Sequence, residues 1–236
     1  RDQTPAEPEH EAEHGAGALG ALVSPHSTTE ELYLAAALVR GLGSDNIDYR
    51  LRNAQFDNAP GVRWLGSSIA ALSQLQTALI VGSNLRKDHP LFAQRIRQSA
   101  RKGCAVNAIN SVAFDWAMPI KNYVTAPAAQ WPQALADVAQ AVAAEKGVPA
   151  PVPGQTSTTA KAIAQTLLSG ERKAILLGNA AAHHANASSL LALAQWIGEH
   201  TGASVGYLTE AANTVGAQLV GALPTKKKKN AAQMLS

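Results

Sequence analysis

Ala78-Leu79-Ile80-Val81-Gly82-Ser83-Asn84-Leu85-Arg86-Lys87-Asp88-His89-Pro90 is the stretch from which the fold is read. Four apolar residues closing on a glycine predict a buried parallel strand, because a strand covered on both faces has no polar alternation. Gly82-Ser83-Asn84 then turns the chain. Pro90 is placed at the first helical position, where its missing N–H leaves no bond unmade. In open α/β sheets, ligands lie outside the carboxyl ends of strands, where backbone N–H groups and helix N-termini face outward. A strand, a short polar loop and a Pro-started helix therefore mark a candidate nucleotide-binding edge. The segment has neither the Gly-x-Gly-x-x-Gly fingerprint nor a P-loop Lys-Ser/Thr. Asn84 also suits an Asx-turn after a strand.

Outward from this stretch, the same pattern recurs. A helix over residues 90–102 and a strand over 105–109 complete a βαβ unit, with Ile96 and Phe92 facing inward. A loop over 112–119, a short strand at 123–124 and an Ala-rich helix over 131–146 follow, the helix ending at Gly147. Residues 148–154 contain Pro149, Pro151 and Pro153 and read as a linker, since proline neither continues a helix nor donates to a ladder. A second unit then has a helix over 159–168, a strand over 174–177 running into Gly178-Asn179, a helix over 188–200 and a strand over 203–207. Toward the N-terminus, residues 19–23 read as a strand and Ser27-Thr28-Thr29-Glu30 as a capping box opening a helix. Residues 46–66 have little periodicity and read as loop. The expected fold class is α/β, with mainly parallel sheets in two Rossmann-like three-layer units. The expected boundaries are an acidic lead-in over 1–16, units over 17–147 and 155–225, and a Lys-rich tail over 226–236.

The chain has 236 residues, 46% hydrophobic and 16% charged, enough for real cores. It begins on Arg1 rather than Met, and the expectation is a piece of a longer polypeptide. The net charge of +3 is set by Lys226-Lys227-Lys228-Lys229; without those four charges the balance is −1. This leaves no nucleic-acid footprint, and the lysine run reads as a solvated segment, with contact to an acidic partner as the second reading. No apolar run reaches the roughly 20 residues of a membrane span, so no direct membrane insertion is expected. The single cysteine, Cys104, excludes a disulfide within the chain and a cysteine-ligated cluster built from this segment alone. His10-Glu11-Ala12-Glu13-His14 matches a zinc-protease pattern, but it lies in a Pro-flanked acidic stretch with no apolar stripe to hold a rigid helix, so no metal site is read there. His183 and His184, being adjacent, point apart and are not expected to share a metal.

Four segments together carry a resemblance: Ala21-Leu-Val-Ser-Pro-His-Ser-Thr-Thr-Glu-Glu-Leu-Tyr-Leu34, Gly41-Leu-Gly-Ser-Asp-Asn-Ile-Asp-Tyr-Arg-Leu-Arg52, Val81-Gly-Ser-Asn-Leu-Arg-Lys-Asp-His-Pro90 and Ala211-Ala-Asn-Thr-Val-Gly-Ala-Gln-Leu-Val-Gly-Ala-Leu-Pro224. In that order they resemble the molybdopterin oxidoreductase superfamily. Within it the likeness is to the large iron–sulfur subunit of bacterial respiratory complex I, the NADH–quinone oxidoreductase.

The resemblance implies a pterin guanine dinucleotide crevice whose guanosine-end loop matches Gly82, Ser83, Asn84, His89 and Pro90, with Leu85 where catalytic members often have proline. No residue matches the Cys, selenocysteine or Ser that ligates molybdenum in catalytic members. It further implies a non-catalytic scaffold with no cofactor in this segment. Iron–sulfur clusters would sit in an upstream domain of the same polypeptide, with other peripheral-arm subunits as partners. The location implied is the cytoplasmic side of the bacterial inner membrane, and the two units would be interleaved in the parent. The alternatives are a fragment of a molybdopterin guanine dinucleotide-dependent formate dehydrogenase or nitrate reductase, and a stand-alone nucleotide-binding module.

Overall fold

A computed structural model describes residues 15–56, 63–225 and 228–236. The chain divides into two compact units, one from Arg63–Glu210 and one from the described parts of Arg1–Val62 and Ala211–Ser236.

The unit Arg63–Glu210 is built on a five-stranded parallel sheet. Its strands are β1 (Thr77–Val81), β2 (Ala105–Asn110), β3 (Asn122–Thr125), β4 (Lys173–Leu177) and β5 (Ser204–Tyr207), in the order β3-β2-β1-β4-β5. Its helices are α1 (Leu85–Asp88), α2 (Pro90–Ala100), α3 (Trp131–Lys146), α4 (Thr158–Leu168), α5 (Asn179–Ala182) and α6 (Ala187–Thr201). The central strand β1 is buried along its whole length, as its unbroken apolar run requires. Side chains alternate between faces. Leu79, Val81, Ile175 and Leu177 pack with α3, α4 and α6, while Ala78, Ile80, Val106 and Leu176 pack with α2 and the 3₁₀ turn Ile69–Gln74. The chain travels outward from β1 in one direction and from β4 in the other. A single crossover hand then puts α2 and α6 on opposite faces. The three-layer α/β class follows directly from the sequence pattern.

The two expected βαβ units share this one sheet. β4 pairs with β1 in register from Thr77↔Lys173 to Val81↔Leu177, so the boundaries at 147 and 155 fall inside a unit. The Pro-rich residues 148–154 form a packed reversal rather than a linker. Gly154 lies so close to α3 that a Cβ there would meet Ala136 O at 2.5 Å, and Gln155 N donates to Asp137 Oδ1 at 2.7 Å. This reversal lets α3 and α4 lie together on one face. The expectation that interleaving would put the Gly82 part and the post-linker part in different units is corrected in the same way.

The second unit joins Ala21–Leu22 to Ile47–Asp48 as a two-stranded parallel sheet, around a core of Leu32, Ala36, Val39, Ile47, Tyr49, Ala217 and Ala222. Helix Thr29–Gly41 starts on a capping box formed by Thr28 and Glu31, one residue beyond the expected Ser27 and Glu30. The two-residue strand Ile47–Asp48 lies within the stretch expected to be loop. Its motif is a lock. Asp48 is fully buried and holds the Arg50 guanidinium at 2.9 Å through both carboxylate oxygens, and Ala231 N donates to the same carboxylate at 3.1 Å. Asn46 donates to Gly17 O and Leu19 O and accepts from Lys229 N, each at 3.0 Å.

Candidate functional site at the carboxyl edge of the sheet

The strand order reverses between β1 and β4, and the loops that leave these two strands meet there. Gly82 N donates to Ile109 O, Gly178 N donates to Val81 O, and Gly82 O accepts from Ala180 N. No side chain fits between the loops. A Cβ on Gly178 would lie 2.4 Å from Ser83 Cβ, and one on Gly82 would lie 2.7 Å from Ala181 N and from the Trp131 ring. Gly82 also has φ +65°, a region that favours glycine. Switch points of this kind form the ligand crevice of doubly wound sheets.

The four expected site residues sit together at this edge. Ser83 is 2% exposed, and its N–H donates to Asn110 Oδ1 at 2.9 Å. Asn110 in turn donates to the Tyr123 hydroxyl, whose own proton goes to Val112 O at 2.6 Å. Asn84 caps α1 by position only: its side chain makes no cap bond, and no Asx-turn forms. Its N–H instead donates to Asp88 Oδ2 at 2.9 Å, and the Ser83 hydroxyl donates to the same oxygen at 3.4 Å. The loop thus carries its own anion, and a carboxylate stands where an outside one would bind. His89 bonds Thr209 O through Nε2 at 2.7 Å. A carbonyl only accepts, so Nε2 carries the proton and Nδ1 is left as an acceptor when the ring is neutral. That Nδ1 is buried and has no hydrogen-bond partner among the described residues. Phe92 stacks on the ring with centroids 5.7 Å apart, and Pro90 opens α2.

Sequence reasoning missed the residues that complete the edge. Asn179 Oδ1 and the Tyr207 hydroxyl are buried without partners among the described residues. Burial pushes the Tyr207 phenol above its ordinary range, against the opposing pull of the Arg63 guanidinium over its ring. His183 Nε2 lies 2.9 Å from Glu210 Oε2. The neighbouring His184 accepts from Asn186 N through Nδ1 and bonds Ala128 O through Nε2, so the two histidines serve different partners. The one available signal was the parallel between Gly82-Ser83-Asn84 and Gly178-Asn179-Ala180, each following an apolar strand.

Cys104 lies at the opposite edge, beside the start of β2. Its thiol is pushed up by burial, which outweighs hydrogen bonds involving Ser99 and Ala78. No cluster of three His, Cys, Asp or Glu side chains that could hold a metal occurs among the described residues. The histidine pair at 10 and 14 lies outside them, as do Lys226 and Lys227. No described helix is long and apolar enough to cross a membrane.

A doubly wound α/β unit with unpartnered polar atoms at its switch point belongs to the class of folds whose ligands lie at the carboxyl edge of the sheet. The particular family follows from comparison with known proteins: the molybdopterin oxidoreductase family model matches residues 9–236, and the chain belongs to that family. It is also similar to a probable oxidoreductase, YjgC, of Bacillus subtilis (strain 168). The identity is 34% over 92 residues, covering 36% of this chain and 9% of that protein. The chain therefore spans a small part of the relative's length.

The family implies a pterin nucleotide, and the edge fits its uncharged nucleoside end. The Asn84 amide, His89 Nδ1 and Asn179 Oδ1 offer unmade hydrogen bonds among the described residues. The Asn84 N–H and Ser83 hydroxyl, already held by Asp88, are not open to a phosphate.

Proposed function

We propose that this chain is a non-catalytic scaffold part of the large iron–sulfur subunit of an NADH–quinone oxidoreductase. In this reading, electrons pass from NADH to quinone through clusters held by an upstream domain of the same polypeptide. The chain supports that domain against other peripheral-arm subunits on the cytoplasmic side of the bacterial inner membrane. The observation that carries the reading is the position of Cys104. Clusters need several thiolates, and the single thiol of this chain is buried, hard to ionise and at the far edge of the sheet from the crevice. The residues of the Asn46–Arg50 motif are likewise engaged in internal bonds that hold the fold together.

A second reading, a molybdopterin guanine dinucleotide-dependent oxidoreductase acting on a small molecule such as formate or nitrate, is favoured by the open polar atoms at the switch point. There Asn84, His89 and Asn179 would hold the nucleoside end and orient it, and the bound cofactor would supply metal-centred electron transfer.

The two readings separate on the intact native protein. Metal analysis is expected to find iron without stoichiometric molybdenum or tungsten, and NADH-to-quinone electron transfer should co-purify with it. Stoichiometric molybdenum with turnover that depends on it would overturn the scaffold reading.

A further inference from the structure

We propose that the amino edge of the same five-stranded sheet carries a separate binding site for a small multivalent oxyanion. The site is a cleft of about 520 Å³ between the turns that lead into β1, β2 and β4. This volume lies within the range of small-molecule sites, about 300–1,000 Å³. Lys102 and Arg172 both line it, and no Asp or Glu does. A third cation bears on the rim, where Arg95 donates to the Ser73 hydroxyl at 3.4 Å.

The ordinary role for a cation at this edge is to neutralise carbonyls at helix C-termini. Lys173 plays that role, donating to Thr201 O at the end of α6. Lys102 does not, and Arg172 does so through Nε alone, at Gln74 O on the end of the 3₁₀ turn. At the end of α2, Ser99 O accepts from Lys102 N and Cys104 N, and Ala100 O accepts from Gly103 N. At the end of α4, Thr166 O accepts from the Thr77 and Ser169 hydroxyls. The Lys102 ammonium has no hydrogen bond or ion pair among the described residues. Arg172 donates to Gln74 O through Nε at 2.7 Å, which fixes the guanidinium, and its two terminal nitrogens have no hydrogen bond among the described residues.

The rim is preorganised. Gln76 Oε1 accepts from Glu171 N at 2.8 Å and Arg172 N at 3.1 Å, and Gln76 N donates to Arg172 O at 2.7 Å. A held guanidinium fork with a point-charge ammonium is the donor set that phosphate and carboxylate oxygens take. A phosphate compound and a polycarboxylate share this chemistry. None of these groups takes part in the crevice at the carboxyl edge, so the oxyanion site stands or falls independently of the scaffold reading.

The test is calorimetric titration of the purified native protein with inorganic pyrophosphate and, separately, with citrate. Saturable binding of at least one is expected, and the tighter of the two identifies the oxyanion type. Lys102→Gln, at an exposed turn position, should weaken binding about tenfold, as should Arg172→Lys, which keeps charge but loses the fork. Lys161→Gln, on the exposed side of α4 and outside the cleft, should leave binding unchanged. Absence of saturable binding overturns the proposal. So does an equal loss in Lys161→Gln and Lys102→Gln, since that marks unspecific charge attraction.

Discussion

The motif at Asn46–Arg50 and the loop from Gly82 to His89 are alike in sequence, both short, polar and placed at a strand, yet they do opposite things. In the first, each side-chain polar group is matched from within its own unit. Asp48 meets Arg50 and Ala231, Asn46 meets Gly17, Leu19 and Lys229, and the Tyr49 hydroxyl accepts from Gln218. In the second, the backbone is fixed by Asn110 and Asp88, while the Asn84 amide and His89 Nδ1 make no bond within the described residues. Polar density alone does not separate a lock from a site. The separation comes from which polar atoms are left without a partner once the backbone is satisfied.

The largest expected effect tests the lock. Asp48→Ala leaves the Arg50 guanidinium, 7% exposed, without its carboxylate. Removing one partner of a buried ion pair costs about 3–5 kcal/mol, read as a lower urea midpoint. A loss below about 1 kcal/mol, the range of surface pairs, would remove the contrast between the two motifs.

A slightly smaller effect belongs to the floor of the crevice. Gly82→Ala must hold φ +65° and place a methyl 2.7 Å from Ala181 N and the Trp131 ring. The expected cost is about 2–3 kcal/mol, from left-handed strain together with overpacking. Gly103→Ala sharpens the point, because its φ is +95° and nothing lies within 4 Å of the added carbon. It should cost about 1–2 kcal/mol from backbone strain alone. Equal losses would mean that the two loops do not press together.

An acid-limb prediction follows from Asp45, next to the lock. Burial alone would raise its carboxyl, but hydrogen bonds from Thr225 and Arg40 more than offset this and hold it below its ordinary value of 3.8. A depressed folded-state pKa gives stability that is present above the unfolded value and lost as pH falls through the folded one. Stability of the native chain should therefore fall more steeply below about pH 4 than that of Asp45→Asn. Coincident acid-unfolding curves would remove Asp45 from the lock.

Much of the fold was legible because buried parallel strands are short apolar runs ended by glycine or asparagine, as at 78–81, 105–109 and 174–177. The Trp131–Lys146 helix agrees to the residue, its Gly147 cap in the left-handed region. The union of both βαβ units in one sheet was not legible, because β1–β4 pairing joins residues about 96 apart and leaves no local pattern. The prolines at 149, 151 and 153 were misread because a packed reversal and a linker have the same composition, and the deciding contact is Gly154 on α3. The strand Ile47–Asp48 is too short to show a period. At the site, the glycines could be read from turn chemistry, whereas the Asx-turn expected of Asn84 does not form. Asp88 could not, since an Arg-Lys-Asp run looks like a solvated surface, and its backward bond to Asn84 N exists only once α1 has formed.

The smallest expected effect is the most discriminating. Asn84→Ala removes an amide that makes no cap bond and leaves in place the N–H that Asp88 holds. Stability should change by less than about 0.5 kcal/mol, as for a side chain with no structural partner. Asp88→Ala, four residues on, strips the acceptor from both Asn84 N–H and the Ser83 hydroxyl and should cost about 1 kcal/mol. The order matters more than either value. If Asn84→Ala destabilises as much as Asp88→Ala in the same urea titration, the amide is part of the loop's own scaffolding. The Gly82–His89 loop would then be a second lock, and its open polar atoms would no longer mark a place kept for a ligand.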